Sequence, residues 1–162
     1  MYKLLIFSAL ISFINACTTA PDFSVVPNIS YISISRNAVI QTQVNLKMDS
    51  LQIKIKFEDG DGDLYDGDKH HLFVIDKRQD TLFTSFSIPQ YPNLGRNKGI
   101  SGEITFQLYD FCCIPPPTVA PTCSPDPKFP KDEVIYQIYI IDKAGHKSNI
   151  IETPPITIQC TK

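Results

Sequence analysis

The eleven residues Glu58-Asp59-Gly60-Asp61-Gly62-Asp63-Leu64-Tyr65-Asp66-Gly67-Asp68 hold six of the chain's 17 acidic side chains. Carboxylates at alternate positions converge on one point once the backbone curls, and the intervening glycines permit that curl without a Cβ penalty. Hard oxygen donors at this density suit Ca2+, which takes about six to eight oxygens. Without a cation the like charges raise one another's pKa and hold the segment open. Asp-Gly is also an ordinary turn dipeptide, so a solvated acidic turn that binds nothing fits the same residues.

The spacing of Asp59, Asp61 and Asp63 starts as an EF-hand loop does and then departs from it. Leu64 stands where that loop needs glycine, and His70 where it needs a bidentate glutamate. The run resembles instead the looser D-x-D-x-D calcium turns at the ends of extracellular β-domains. His70, His71 and His146 offer donors for Zn2+ or Cu2+. Adjacent residues on a strand point to opposite faces, which works against His70 and His71 sharing one ion.

Support for catalysis is weak. The chain has no G-x-S-x-G elbow, no H-E-x-x-H and no phosphate-cradling G-x-x-x-x-G-K-[ST]. Glu103 and Glu133 could form a glycosidase pair if the fold set them across a cleft, though Glu103 reads more simply as the solvent face of a strand. Tyr65 and Tyr91 could stack on a sugar from end loops, but the chain has no tryptophan. The expectation is a non-catalytic domain that presents end loops to a protein or glycan partner. The alternatives are an envelope hydrolase using the acidic-loop carboxylates and a structural subunit of an envelope complex.

The N-terminus supplies an address. After Lys3, the run Leu4 to Ile14 carries no charge; it is too short to span a bilayer and suits a signal-peptide core. It ends in Ile14-Asn15-Ala16-Cys17, which resembles a bacterial lipobox. The resemblance implies cleavage before Cys17, a diacylglycerol on its thiol and acylation of the new amino group, enough lipid to anchor the chain stably. Thr18 does not match the aspartate rule that retains such lipoproteins at the inner membrane, so the expected location is the outer membrane. Residues 1–16 then form the signal peptide, residues 17–28 the lipidated cysteine and a tether, and residues 29–162 one domain. Removing 16 of 162 residues leaves 146, with 14 basic against 17 acidic side chains. That balance gives no basic face for nucleic acid.

With Cys17 acylated, Cys112, Cys113, Cys123 and Cys160 remain, an even number that outside the cytoplasm reads as two disulfides. A Cys112–Cys113 bond needs a strained ring. The two neighbours point opposite ways on extended chain, so one is expected to meet Cys123 and the other Cys160.

The elements that must position these groups read as strands. Leu51-Gln-Ile-Lys-Ile-Lys-Phe-Glu58 alternates apolar and polar residues. Ile29 to Ser35, Val39 to Leu46, Leu72 to Ile75, Leu82 to Ile88 and Ile104 to Leu108 follow. Val134 to Ile141 is apolar on both parities, as a central strand is. Ile150 to Gln159 is interrupted by Pro154-Pro155, which points to an edge or a bulge. Pro89 to Gly99 and the seven-proline stretch Phe111 to Lys131 read as loops. No helical periodicity emerges, and about seven strands predict an all-β, antiparallel β-sandwich. In a sandwich the loop after the second strand shares an end with the F–G turn, so Asp142 could complete a cation site with Asp59, Asp61 and Asp63.

The segment Tyr136 to Ser148 resembles the F strand and F–G turn of fibronectin type III and bacterial immunoglobulin-like domains. That resemblance implies a tyrosine corner at Tyr136, whose hydroxyl would tie its strand to the preceding loop. His146 departs from the asparagine usual after Gly145. Phe57 to Leu64, Ser101 to Thr105 and Asp142 to Asn149, together with the lipobox, also resemble a group of Bacteroidota-type lipoproteins. This likeness covers most of the mature chain and implies a fold and an address, with no activity attached.

Overall fold

A computed structural model describes residues 22–42, 49–92, 99–116, 123–124 and 126–160. Cys17, the signal segment and the first residues of the tether lie outside the described residues, as do residues 43–46 of the expected second strand. The described residues are all-β, with no helix: ten strands in three sheets, against the seven expected.

β1 (Asn28–Ile34), β3 (Leu51–Asp59) and β6 (Ile100–Leu108) form one antiparallel sheet with β3 in the middle. β5 (Thr81–Ser87), β4 (His70–Asp76), β8 (Tyr136–Ile140) and β9 (Ile151–Glu152) form a second, in that order. In the third, β10 (Ile156–Gln159) runs parallel to β2 (Ala38–Ile40) and antiparallel to β7 (Lys131–Val134). The alternation legible in β3 is realised residue by residue: Leu51, Ile53, Ile55 and Phe57 are buried while Gln52 and Lys56 face water. Those buried side chains share one core with Leu72 and Val74 of β4 and Ile138 and Ile140 of β8. Phe86 of β5 reaches Phe106 of β6 with ring centroids 5.2 Å apart, joining the first two sheets along one side. Burying a Phe side chain such as Phe57 contributes roughly 2–3 kcal/mol.

Two expected single strands are each divided, which accounts for part of the larger count. Val134 to Ile141 breaks at Ile135 into β7 and β8, which belong to different sheets. Ile150 to Gln159 breaks at Pro154-Pro155 into β9 and β10, again in different sheets. Lacking N–H groups, the two prolines end one ladder and let the chain cross to the next. β10 is therefore a central strand rather than an edge.

The two poles of the domain differ in chemistry. At one lie both disulfides, Cys112–Cys123 with Cα atoms 4.8 Å apart and Cys113–Cys160 with 5.8 Å. They close loops of 11 and 47 residues, for which chain-entropy arguments give about 3 and 4 kcal/mol. Arg78 holds this pole together: it pairs with Asp76, reaches Asp132 Oδ2 at 2.6 Å and donates to Cys112 O at 3.0 Å. Gln41, itself buried, accepts from Cys113 N and donates to Cys123 O, each at 2.9 Å. The acidic segment lies at the other pole.

Tyr136 does not make the expected corner. Its side chain is fully buried, its ring 4.8 Å from that of Phe83, and its hydroxyl has no hydrogen-bond partner among the described residues. Burial pushes its phenol well above the ordinary range. The backbone makes the tie instead: Tyr136 N donates to Thr153 Oγ1 at 3.1 Å and Thr153 N to Tyr136 O at 2.9 Å.

Candidate metal centre

Asp59 is the last residue of β3 and falls on the parity that carries Leu51, Ile53, Ile55 and Phe57 inward, so the strand pattern delivers a carboxylate to the interior. It is 0% exposed. Its Oδ2 accepts from Asp63 N at 3.0 Å, which closes the loop on itself, and its Oδ1 is buried with no partner among the described residues. Burial first, and then the charges of Asp61, Asp63 and Asp142, push its carboxyl up to about 6.

Gly62, at φ 72°, takes the left-handed turn that brings Asp63 back over Asp59. Asp63 then bridges to the β8–β9 turn: its Oδ2 accepts from Ala144 N at 3.0 Å and its backbone O from Lys143 N at 3.2 Å. Its Oδ1 is a second buried carboxylate oxygen without a partner among the described residues. Burial, Asp142 and Asp61 raise its pKa.

Asp142 follows β8 and is 2% exposed. Both its oxygens meet His146, Oδ1 accepting the backbone N at 2.7 Å and Oδ2 facing Nδ1 at 2.8 Å. The hydrogen bond and charge of Asp142 raise the pKa of His146. Asp61 is exposed at the mouth of the group. Asp59, Asp61, Asp63 and Asp142 each offer one carboxylate oxygen, and the four lie within 4.8 Å of one another; they could hold a metal ion. Two ligands on opposite sides of a calcium ion stand about 4.8 Å apart, because each sits about 2.4 Å from it.

Of the remaining acidic residues of the segment, Asp68 is exposed and the other two are in ion pairs. Glu58 pairs with Lys56 at 2.6 Å and Asp66 with Lys69 at 2.6 Å, which lowers the pKa of Asp66. His70 and His71 diverge as adjacent strand residues do. His70 is exposed on Ser85 Oγ at 2.7 Å, whereas His71 is buried with Nδ1 on Ile141 O at 2.6 Å. Because a carbonyl only accepts, His71 carries its proton on Nδ1. Among the described residues no histidine joins a group able to hold a metal. Glu103 sits on β6 in an ion pair with Lys54 at 3.0 Å, while Glu133 lies exposed on β7 in another sheet. Tyr91 is committed to packing, its ring edge-on to Phe57 and its hydroxyl donating to Glu103 O at 2.7 Å; Tyr65 is 43% exposed.

Two contributors escaped the sequence reading. His146 as the partner of Asp142 had a signal in the four-residue spacing across a turn. The other is the chain before β1: Ser24 O accepts from Gly60 N at 2.8 Å, so residues read as tether dock beside Asp59. Gly60 permits that approach, since an added Cβ would meet the backbone of Phe23 and Ser24.

No family model matches the chain, no curated protein matches it, and no solved structure matches its fold.

Proposed function

We propose that this chain is a lipid-anchored cell-envelope domain of the immunoglobulin or fibronectin type III kind, which binds Ca2+ at its acidic pole and presents its end loops to a protein or glycan partner. The observation that carries the cation site is the pair of buried, unpartnered oxygens, Asp59 Oδ1 and Asp63 Oδ1, beside Asp61 and Asp142. An unpaired buried carboxylate is costly, and a cation relieves that cost directly. The all-oxygen donor set and its 4.8 Å span favour Ca2+ over the smaller Mg2+ and over softer metals. When bound, the ion would supply fixed positive charge that ties the loop after β3 to the turn after β8.

The fold reading is supported by strand order. β1-β3-β6 against β4-β8-β9 corresponds to A-B-E against C-F-G, with β5 as an added edge. The anchor reading is supported by the lipobox-like Ile14 to Cys17 and by the pairing of the other four cysteines into disulfides, the form stable outside the cytoplasm.

Calorimetry with Ca2+ on the mature chain tests the site. A one-site isotherm lost in Asp59→Asn and in Asp61→Ala is expected; no heat at millimolar calcium would refute it. One observation favours the hydrolase reading: the raised pKa of Asp59 suits a general acid. Its complete burial keeps it from a substrate, so a glycosidase and esterase panel is expected to give no turnover sensitive to Asp63→Asn. Stoichiometric co-purification from solubilised membranes would instead favour a subunit of an envelope complex.

A further inference from the structure

The lipid-bearing end of the chain joins the domain at the acidic pole. Gly60 N holds Ser24 O at 2.8 Å, and the Phe23 ring covers Gly99, where an added Cβ would lie 2.7 Å from it. Residues 23 and 24 are thereby fixed beside Asp59. Six residue steps separate Phe23 from Cys17, and a fully extended chain of that length spans at most about 20 Å. β3, nine residues long, sets the disulfide pole about 30 Å further off. An acyl group on Cys17 therefore keeps the acidic pole near the bilayer, and an upright domain holds its disulfides away from it.

The surface of that pole suits such a neighbour. Val25, Val26 and Tyr65 are 52%, 43% and 43% exposed, large side chains at the level where a bilayer's boundary would accept them. Lys143 is exposed beside the acidic group, its ammonium 4.0 Å from Asp66, and can meet a phosphate. The four aspartates by themselves would be repelled by anionic headgroups. With a divalent cation among them the sign reverses. Four side-chain oxygens leave calcium with open positions, and the exposed member of the group, Asp61, marks the side on which they face out.

We infer that the acidic pole is the membrane-facing surface of the domain, set against the headgroup phosphates of an anionic bilayer with the bound cation between them. This rests on the lipid anchor and cation site of the preceding section. It places the partner-binding loops at the disulfide pole, away from the membrane.

The chain lacks tryptophan, so single substitutions report position by fluorescence. Tyr65→Trp marks the acidic pole; Leu82→Trp, at the exposed second residue of β5, marks the other. The acylated full chain, purified from detergent-solubilised membranes, is placed in vesicles of phosphatidylcholine and phosphatidylglycerol with brominated acyl chains and Ca2+. Bromine is expected to quench Tyr65→Trp several-fold more than Leu82→Trp. Equal or reversed quenching overturns the inference, as does a chain recovered without acyl mass. If chelation with EGTA leaves the Tyr65→Trp excess unchanged, the membrane facing stands and the cation reading falls. If the excess is missing while calorimetry still registers calcium, the facing falls and the cation reading stands.

Discussion

Gly60 and Phe23 approach so closely that no side chain fits between them. A Cβ on Gly60 would collide with Phe23 O and lie 2.7 Å from the carbonyl carbon and oxygen of Ser24. Gly60→Ala is therefore expected to lift residues 22–27 off the domain and to cost about 1–3 kcal/mol, as overpacking does. Hydrogen exchange checks it: the Gly60 amide, protected by Ser24 O, should exchange far faster while β3 and β8 stay protected. Unaltered exchange at Gly60 would show that the docked segment does not depend on this contact.

The acidic pole sets a pH dependence of definite sign. Asp59 is raised from 3.8 to about 6, and Asp63 is raised also, so the fold prefers both as neutral acids. Their contribution is present at low pH and is lost as pH rises through the folded values. His146, raised above 6.5, acts in the same sense: its stabilisation is complete below 6.5 and disappears as pH passes its higher folded value. Asp66 and Glu152, held low by Lys69 and by Gln137 with Lys77, act oppositely, but both are surface ion pairs of small effect. Melting temperature without calcium is thus expected to fall as pH rises from 3.8 through about 6 for Asp59, and further above 6.5 for His146, and calcium should restore it at the upper end. Asp59→Asn should flatten the slope and abolish the calcium effect. A cation-free domain that grows more stable with rising pH would contradict this.

Tyr136 offers a test with an unusual direction. Its buried hydroxyl lacks a partner among the described residues, so Tyr136→Phe removes a desolvated polar group and keeps the ring against Phe83. Urea unfolding should show stability unchanged or raised, within about 1 kcal/mol. A tyrosine corner would give the opposite, a loss of about 1 kcal/mol or more.

Arg78 should be among the costliest surface-proximal residues to remove. It is 16% exposed and serves Asp76 and Asp132, which are 8% and 14% exposed. Arg78→Met keeps much of the side-chain packing but leaves the buried Asp76 and the partly buried Asp132 without their counter-charge. The expected loss is about 3–5 kcal/mol, with recovery in a triple variant that also carries Asp76→Asn and Asp132→Asn. A loss under about 1 kcal/mol in the single variant would mean the network is hydrated and weak.

Much of this architecture was legible because strand parity is a local property. β3 could be read directly from Leu51 to Phe57, and the same parity places Asp59 inside. The convergence of Asp142 on Asp59, Asp61 and Asp63 was expected from the sandwich reading, and the structure brings the loop after β3 and the turn after β8 together. The crossings at Ile135 and Pro154-Pro155 were not legible. Apolar residues on both parities look alike whether one strand continues or two strands in different sheets meet end to end. The docking of Phe23 and Ser24 was missed because a polar, proline-bearing stretch has no periodicity to betray its contacts. Tyr136 was misjudged because a motif fixes where a ring sits and leaves open where its hydroxyl finds a partner.

Between β7 and β8, and again between β9 and β10, the chain passes directly from one sheet into another. Each crossing is a covalent stitch through the fold, and Cys113–Cys160 adds a third near the same end. A domain sewn this way has no seam along which one layer could peel from the other. Whatever tugs on the loops at the disulfide pole is met by the whole body at once.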